Sequence, residues 1–155
     1  MLMKKITILP VLVMLTGFAL FSTGCKKDNT AKNTTMYNIS ATMTGAQESP
    51  AVTTNGTGTV SGVYDASTNT LTYNVTWSNL SGAATAAHFH SAASGTNGSV
   101  VVPFTLTAGS NSTSGTATLT DAQETDLLNG LWYANVHTQA HAGGEIRGQV
   151  TATVQ

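Results

Sequence analysis

His88 and His90 stand one residue apart in Ala87-His88-Phe89-His90, and His137 ends the run Tyr133-Ala134-Asn135-Val136-His137. Side chains alternate along a β-strand, so the His-x-His spacing turns both imidazoles to one face and Phe89 to the other. His137 projects opposite Val136 by the same rule. If the two strands are neighbours, three imidazoles converge on one face. Neutral imidazole is a ligand for zinc and for copper, and three ring nitrogens plus water or a carboxylate such as Glu145 would complete a tetrahedral site. The same nitrogens serve equally as hydrogen-bonding groups toward a carbonyl or a carboxylate. At this level both readings of His88, His90 and His137 stand.

The third histidine lies in the stretch around which the chain is organised, Trp132 to Gln149. Trp132, Ala134 and Val136 share one face of a strand, and Tyr133, Asn135 and His137 share the other. Gly143 and Gly144 then permit a tight reversal, after which Glu145, Arg147 and Gln149 alternate with Ile146, Gly148 and Val150. The pair reads as a hairpin with one apolar and one polar face. Asn135, Glu145, Arg147 and Gln149, joined by Glu48 from earlier in the chain, form a polar set that is costly to align unless its members satisfy one another or a ligand. Arg147 is the only arginine and no lysine follows Lys32, so one fixed cation faces Glu48, Asp65, Asp121, Glu124, Asp126 and Glu145. Its expected partner is Glu48 or Glu145, because a buried guanidinium without a counter-charge is expensive. A domain with one cation cannot neutralise a phosphate backbone, which excludes nucleic acid and disfavours an anionic membrane surface. No Gly-x-Ser-x-Gly elbow, glycine-rich phosphate loop or nucleophilic cysteine supports a hydrolase or nucleotide reading.

These residues must be held by strands. Tyr37–Thr44, Gly58–Tyr64, Leu71–Trp77, Ala84–His90, Val100–Leu106 and Ser114–Leu119 each alternate or carry β-branched and aromatic residues, with turn formers between them. Leu71, Tyr73, Val75 and Trp77 share a face and should be core. Pro103 marks its strand as an edge or a bulge. Thr120 and Gln123 have the spacing of a capping box, Leu127 and Leu128 follow, and Asn129-Gly130 stops the helix. The expected fold is all-β: a single antiparallel β-sandwich or flattened Greek-key barrel of seven or eight short strands, with one short helix before the C-terminal hairpin.

The run Tyr133-Ala134-Asn135-Val136-His137-Thr138 followed by Gly143-Gly144-Glu145-Ile146-Arg147-Gly148-Gln149 resembles the C-terminal motif of the CHRD family, named for the secreted animal protein chordin. Gly45-Ala46-Gln47-Glu48-Ser49-Pro50-Ala51-Val52 is similar to the family's N-terminal block, and Ala87-His88-Phe89-His90 to its central one. The blocks span Met36 to Gln155. Where the family has a short Asn/Pro turn, this chain has Gln139-Ala140-His141, so His141 inherits no role. The resemblance implies a β-sandwich class and a non-catalytic binding or interaction module, since animal members act in secreted proteins that bind other proteins. The alternative is a metal-binding protein, with a redox enzyme on a superoxide-dismutase-like sandwich as its further form, resting on fold analogy and the His-x-His strand.

Residues 1–24 read as a signal peptide: a basic start at Lys4-Lys5, then an apolar run from Ile6 to Phe21. Ser22-Thr23-Gly24-Cys25 is similar to a lipoprotein cleavage box, and Cys25, the only cysteine, is the expected acylated N-terminus. Residues 25–35 read as the lipidated cysteine and a polar tether, and residues 36–155 as the β-domain. The expected location is the cell envelope, lipid-anchored and periplasmic or surface-displayed, with a protein or glycan partner.

Overall fold

Alternation at Met36–Thr44, Thr57–Asp65 and Thr70–Ser78 builds an antiparallel meander of strands β1, β2 and β3 in a computed structural model that describes residues 33–155. The expected signal peptide, Cys25 and most of the expected tether lie outside the described residues. Strand β4 (Ala84–Ser91), β5 (Ser99–Pro103), β6 (Ser112–Thr118), helix α1 (Asp121–Leu128), β7 (Trp132–Thr138), β8 (Ile146–Gln149) and β9 (Thr151–Val154) follow. All strands belong to one nine-stranded sheet in the order β5-β4-β7-β8-β1-β2-β3-β6, with β9 paired to β1. The sheet curls until its edges approach, and the Thr113 hydroxyl donates to the Thr105 carbonyl at 2.7 Å just beyond β5. The architecture is the expected all-β flattened barrel with one short helix.

The strand count exceeds the expectation because the last strand breaks at Val150, where the Val150 N–H bonds to the Trp132 carbonyl. Before the break the chain lies between β7 and β1, with Arg147 opposite Thr44, and after it pairs with β1 alone, from Ser40 to Tyr37. The fifth strand is shorter than expected. Pro103 lacks the N–H to extend the ladder, and β5 ends there as an edge strand. Helix α1 begins at Thr120 with both capping-box bonds formed, and Gly130 at φ 69° follows its end.

Leu71, Tyr73, Val75 and Trp77 all face the core. Phe89 is fully buried there, edge-on to Tyr73 at 5.4 Å and to Phe104 at 4.8 Å between ring centroids. Those contacts fix which way β4 faces, and with it the direction of His88 and His90. In the neighbour β7 the polar face expected of the hairpin is covered as well as the apolar one, because Trp132, Tyr133, Ala134, Asn135 and Val136 are all buried. Its polar face lies under cover, so that side of the sheet is a second interior.

Candidate functional site

Strands β4 and β7 pair with His88 opposite Asn135 and His90 opposite Tyr133. Alternation on both strands therefore places His88, His90 and His137 on one face, around Asn135. One potential ligand nitrogen from each ring lies within 4.8 Å of the other two. His88 sits edge-on to His90 and to His137, with ring centroids 5.3 and 5.1 Å away. His90 Nδ1 donates to the Gly98 carbonyl at 2.9 Å, and His137 Nδ1 donates to the Ala142 carbonyl at 3.0 Å. The Nε2 atoms of the same two rings both face Asn135 Oδ1, at 3.1 and 3.0 Å. His88 Nδ1 is buried and has no partner. Burial, with the neighbouring imidazoles, lowers the pKa of His88, and burial likewise lowers that of His137 despite the bond to Ala142. The His88 and His137 rings are held neutral.

A carbonyl oxygen only accepts, so the bonds to Gly98 and Ala142 put a proton on each Nδ1, and a ring that carries a single proton then has Nε2 bare. Gly98 carries a double duty here. Its carbonyl takes His90, its N–H donates to the Tyr133 hydroxyl at 3.2 Å, and a Cβ at this position would collide with the Ser91 carbonyl.

Arg147 lies beside this cluster and is 1% exposed. Its guanidinium stacks 3.4 Å from the centroid of Tyr133, whose other neighbour is the parallel ring of His90 at 4.7 Å. It donates to Asn97 Oδ1 at 3.2 Å and to the Thr96 carbonyl at 2.8 Å. The expected ion pair with Glu48 or Glu145 is absent among the described residues, and an aromatic face plus carbonyl dipoles take its place. Gln149 has a similar structural task, its Nε2 bridging the Ala92 and Gly130 carbonyls at 3.0 and 2.8 Å. Arg147 and Gln149 together hold the loop 92–98 over β7.

Glu145 does not join this polar set. Its N–H bonds to the Val136 carbonyl while Val136 pairs with Ile146, so two successive residues meet one partner, as in a β-bulge, and its side chain is re-aimed. The carboxylate instead accepts from Thr54 Oγ1 at 2.7 Å, Ser81 N at 2.7 Å, Ser81 Oγ at 2.6 Å and Thr138 Oγ1 at 2.7 Å. Burial raises its pKa, but the donors from Ser81, Thr54 and Thr138 outweigh burial and hold it at about 2. Glu145 is therefore an ionised structural strut and no candidate fourth ligand.

Glu48 is buried with Oε1 unpartnered. Its carboxyl rests against Gly144, at φ 126°, in space that only a glycine leaves. Burial pushes its pKa up to about 7, with the Arg147 charge and the Ser49 N–H pulling the other way. His141 lines the cleft beside it and is not one of the three clustered histidines. The residues that sequence reasoning missed fall into two kinds. Tyr133 was signalled by its alternation with Asn135 and His137, whereas Thr54, Ser81, Asn97 and Gly98 lie in loops with no periodic signal.

A carboxyl whose folded pKa is raised favours the folded state below its ordinary value of 4.5 and loses that contribution as the pH climbs to about 7. His88 and His137, lowered in the fold, act in the opposite sense as the pH falls below 6.5, so the informative quantity is a difference. Glu48→Gln should match the wild type in unfolding free energy at about pH 4 and exceed it by about 2 kcal/mol at about pH 8, allowing for solvent in the adjacent cleft. A constant difference across denaturant melts at both pH values would contradict this. Arg147→Ala should lower stability by about 3 kcal/mol or more, and Arg147→Lys should not restore it, because an ammonium neither stacks on Tyr133 nor spans the two acceptors. An unchanged melting temperature in either variant would show the guanidinium to be dispensable.

Comparison with curated proteins and with solved structures gave no match. The CHRD domain family model matches residues 39–150, which takes in both histidine strands, the Glu48 loop and the whole C-terminal hairpin. That span is well over half of the chain, and the chain belongs to the CHRD family.

Proposed function

We propose that this chain is a non-catalytic, extracytoplasmic binding module held at the cell envelope through acylated Cys25. The observation that carries the reading is how the polar groups of the C-terminal motif are used. Arg147 and Gln149 bond to carbonyls of the loop 92–98 and its surroundings, and Glu145 is saturated by Thr54, Ser81 and Thr138. Groups so committed position loops and have little capacity left to act on a substrate. Two of the positioned loops, contributing Ser49, Pro50 and Val52 on one side and Ala140 to Gly144 on the other, border a cleft of about 450 Å³. A protein or glycan partner would meet this loop-bearing end, where recognition commonly resides on a rigid β-scaffold.

Membership of the CHRD family supports an extracytoplasmic setting, and the sequence from Met1 to Cys25 supports export and acylation. The ten or so residues from Cys25 to the first strand could reach roughly 35 Å, enough to lift the domain clear of the lipid surface. Fractionation of cells producing the full chain should find it in the envelope, releasing fatty acid on acid hydrolysis, while Cys25→Ala should move to the soluble extracytoplasmic fraction with an unchanged melt. Envelope retention of the Cys25→Ala form, or absence of bound fatty acid from the wild type, would overturn the anchor.

A further inference from the structure

The histidine cluster remains without a task in that reading, and its hydrogen bonding contains a mismatch. Gly98 and Ala142 carbonyls fix the protons of His90 and His137 on Nδ1. Two bare Nε2 lone pairs then converge on Asn135 Oδ1, which is an acceptor as well. His88 adds a third imidazole whose Nδ1 is buried with no partner. Three acceptors pointed at one another, beside an orphaned nitrogen, make an arrangement that a cation between them would relieve. The outer bonds are those that metal-ligating histidines make, since an Nδ1–H tied to a backbone carbonyl orients the ring and presents Nε2.

We propose that His88, His90 and His137 bind one late transition-metal ion, Cu²⁺ or Zn²⁺, with Asn135 Oδ1 as a further oxygen donor between the two Nε2 ligands. Tetrahedral ligation at about 2.0 to 2.1 Å separates the ligand atoms by about 3.3 Å, and contraction from the observed spread moves each ring by less than about 1 Å. Neutral imidazole suits both ions, and Cu²⁺ binds the tighter by the usual order of divalent affinities. The ion reaches the cluster past His88 and His137, which are only partly buried. His141 takes no part, because its ring lies outside the cluster. The site is independent of the anchor: loss of acylation changes where the protein fractionates and leaves metal binding intact.

The competing arrangement has the Asn135 amide turned over, so that its NH₂ group donates to both Nε2 atoms and no ion is needed. Calorimetric titration of the tag-free full-length protein in detergent with CuCl₂ and with ZnCl₂ separates the two. Saturable binding of one ion per chain is expected, with a metal-dependent rise in melting temperature and nitrogen hyperfine structure in the Cu²⁺ electron paramagnetic resonance spectrum. His88→Leu is the decisive variant, because His88 Nδ1 is buried without a partner and the ring's other polar neighbour is the Asn135 side chain of the same cluster. Its metal-free melt should equal or exceed that of the wild type, while binding and the metal-induced rise disappear. Asn135→Ala should weaken binding on the order of 10- to 100-fold, and His141→Ala should bind like the wild type. Absence of saturable binding, or unaltered binding in His88→Leu, overturns the proposal and assigns the cluster to the amide network.

Discussion

Strand β7 is covered on both faces, and most of what is unusual in this domain follows from that. A strand with one wet face can leave its polar side chains to water. Here Asn135, His90 and Arg147 are buried outside the hydrophobic core, so each must find its partner within the protein. Backbone carbonyls supply most of them. Gly98 and Ala142 take the two imidazoles, Thr96 takes the guanidinium, and Ala92 takes Gln149. The loop 92–98 is thereby pinned over the strand by the groups it covers. Removal of any one of these side chains loosens the cover as well as the contact.

The domain's three most buried charged residues show three different solutions to the same desolvation problem. Glu145 stays ionised because hydroxyl and amide donors surround it, and the bulge at Val136 is what carries it to them. Arg147 has no carboxylate in contact among the described residues and rests on Tyr133 and on carbonyl dipoles. Burial raises the pKa of Glu48, whose Oε1 has no donor to set against it. With a single cation and few acids in the domain, pairing charge against charge was never the main resource. Dipoles and an aromatic face do that work.

Much of this was legible in the sequence. Alternation alone put Phe89 inside with His88 and His90 outside, and put His137 on the face shared with Tyr133 and Asn135. The capping box at Thr120 and the buried face of Leu71 to Trp77 were equally direct. What could not be read was anything depending on a break in alternation. Glu145 follows the period-two pattern in sequence, yet the bulge turns it away from Arg147. The loop 92–98 was opaque for a different reason: its contribution is made by carbonyls of Ala92, Thr96 and Gly98, and a carbonyl carries no residue-type signal. The ion pair expected for Arg147 failed because the loop's dipoles could not be anticipated.

The central claim is that this second interior fixes both imidazoles in one tautomer, with protons on Nδ1 and lone pairs on Nε2. Long-range nitrogen–proton correlation spectra of the ¹⁵N-histidine-labelled, metal-free protein near neutral pH report that directly. The account predicts Nδ1–H tautomers for His90 and His137 with slowly exchanging ring protons. Nε2–H tautomers at either position would contradict it.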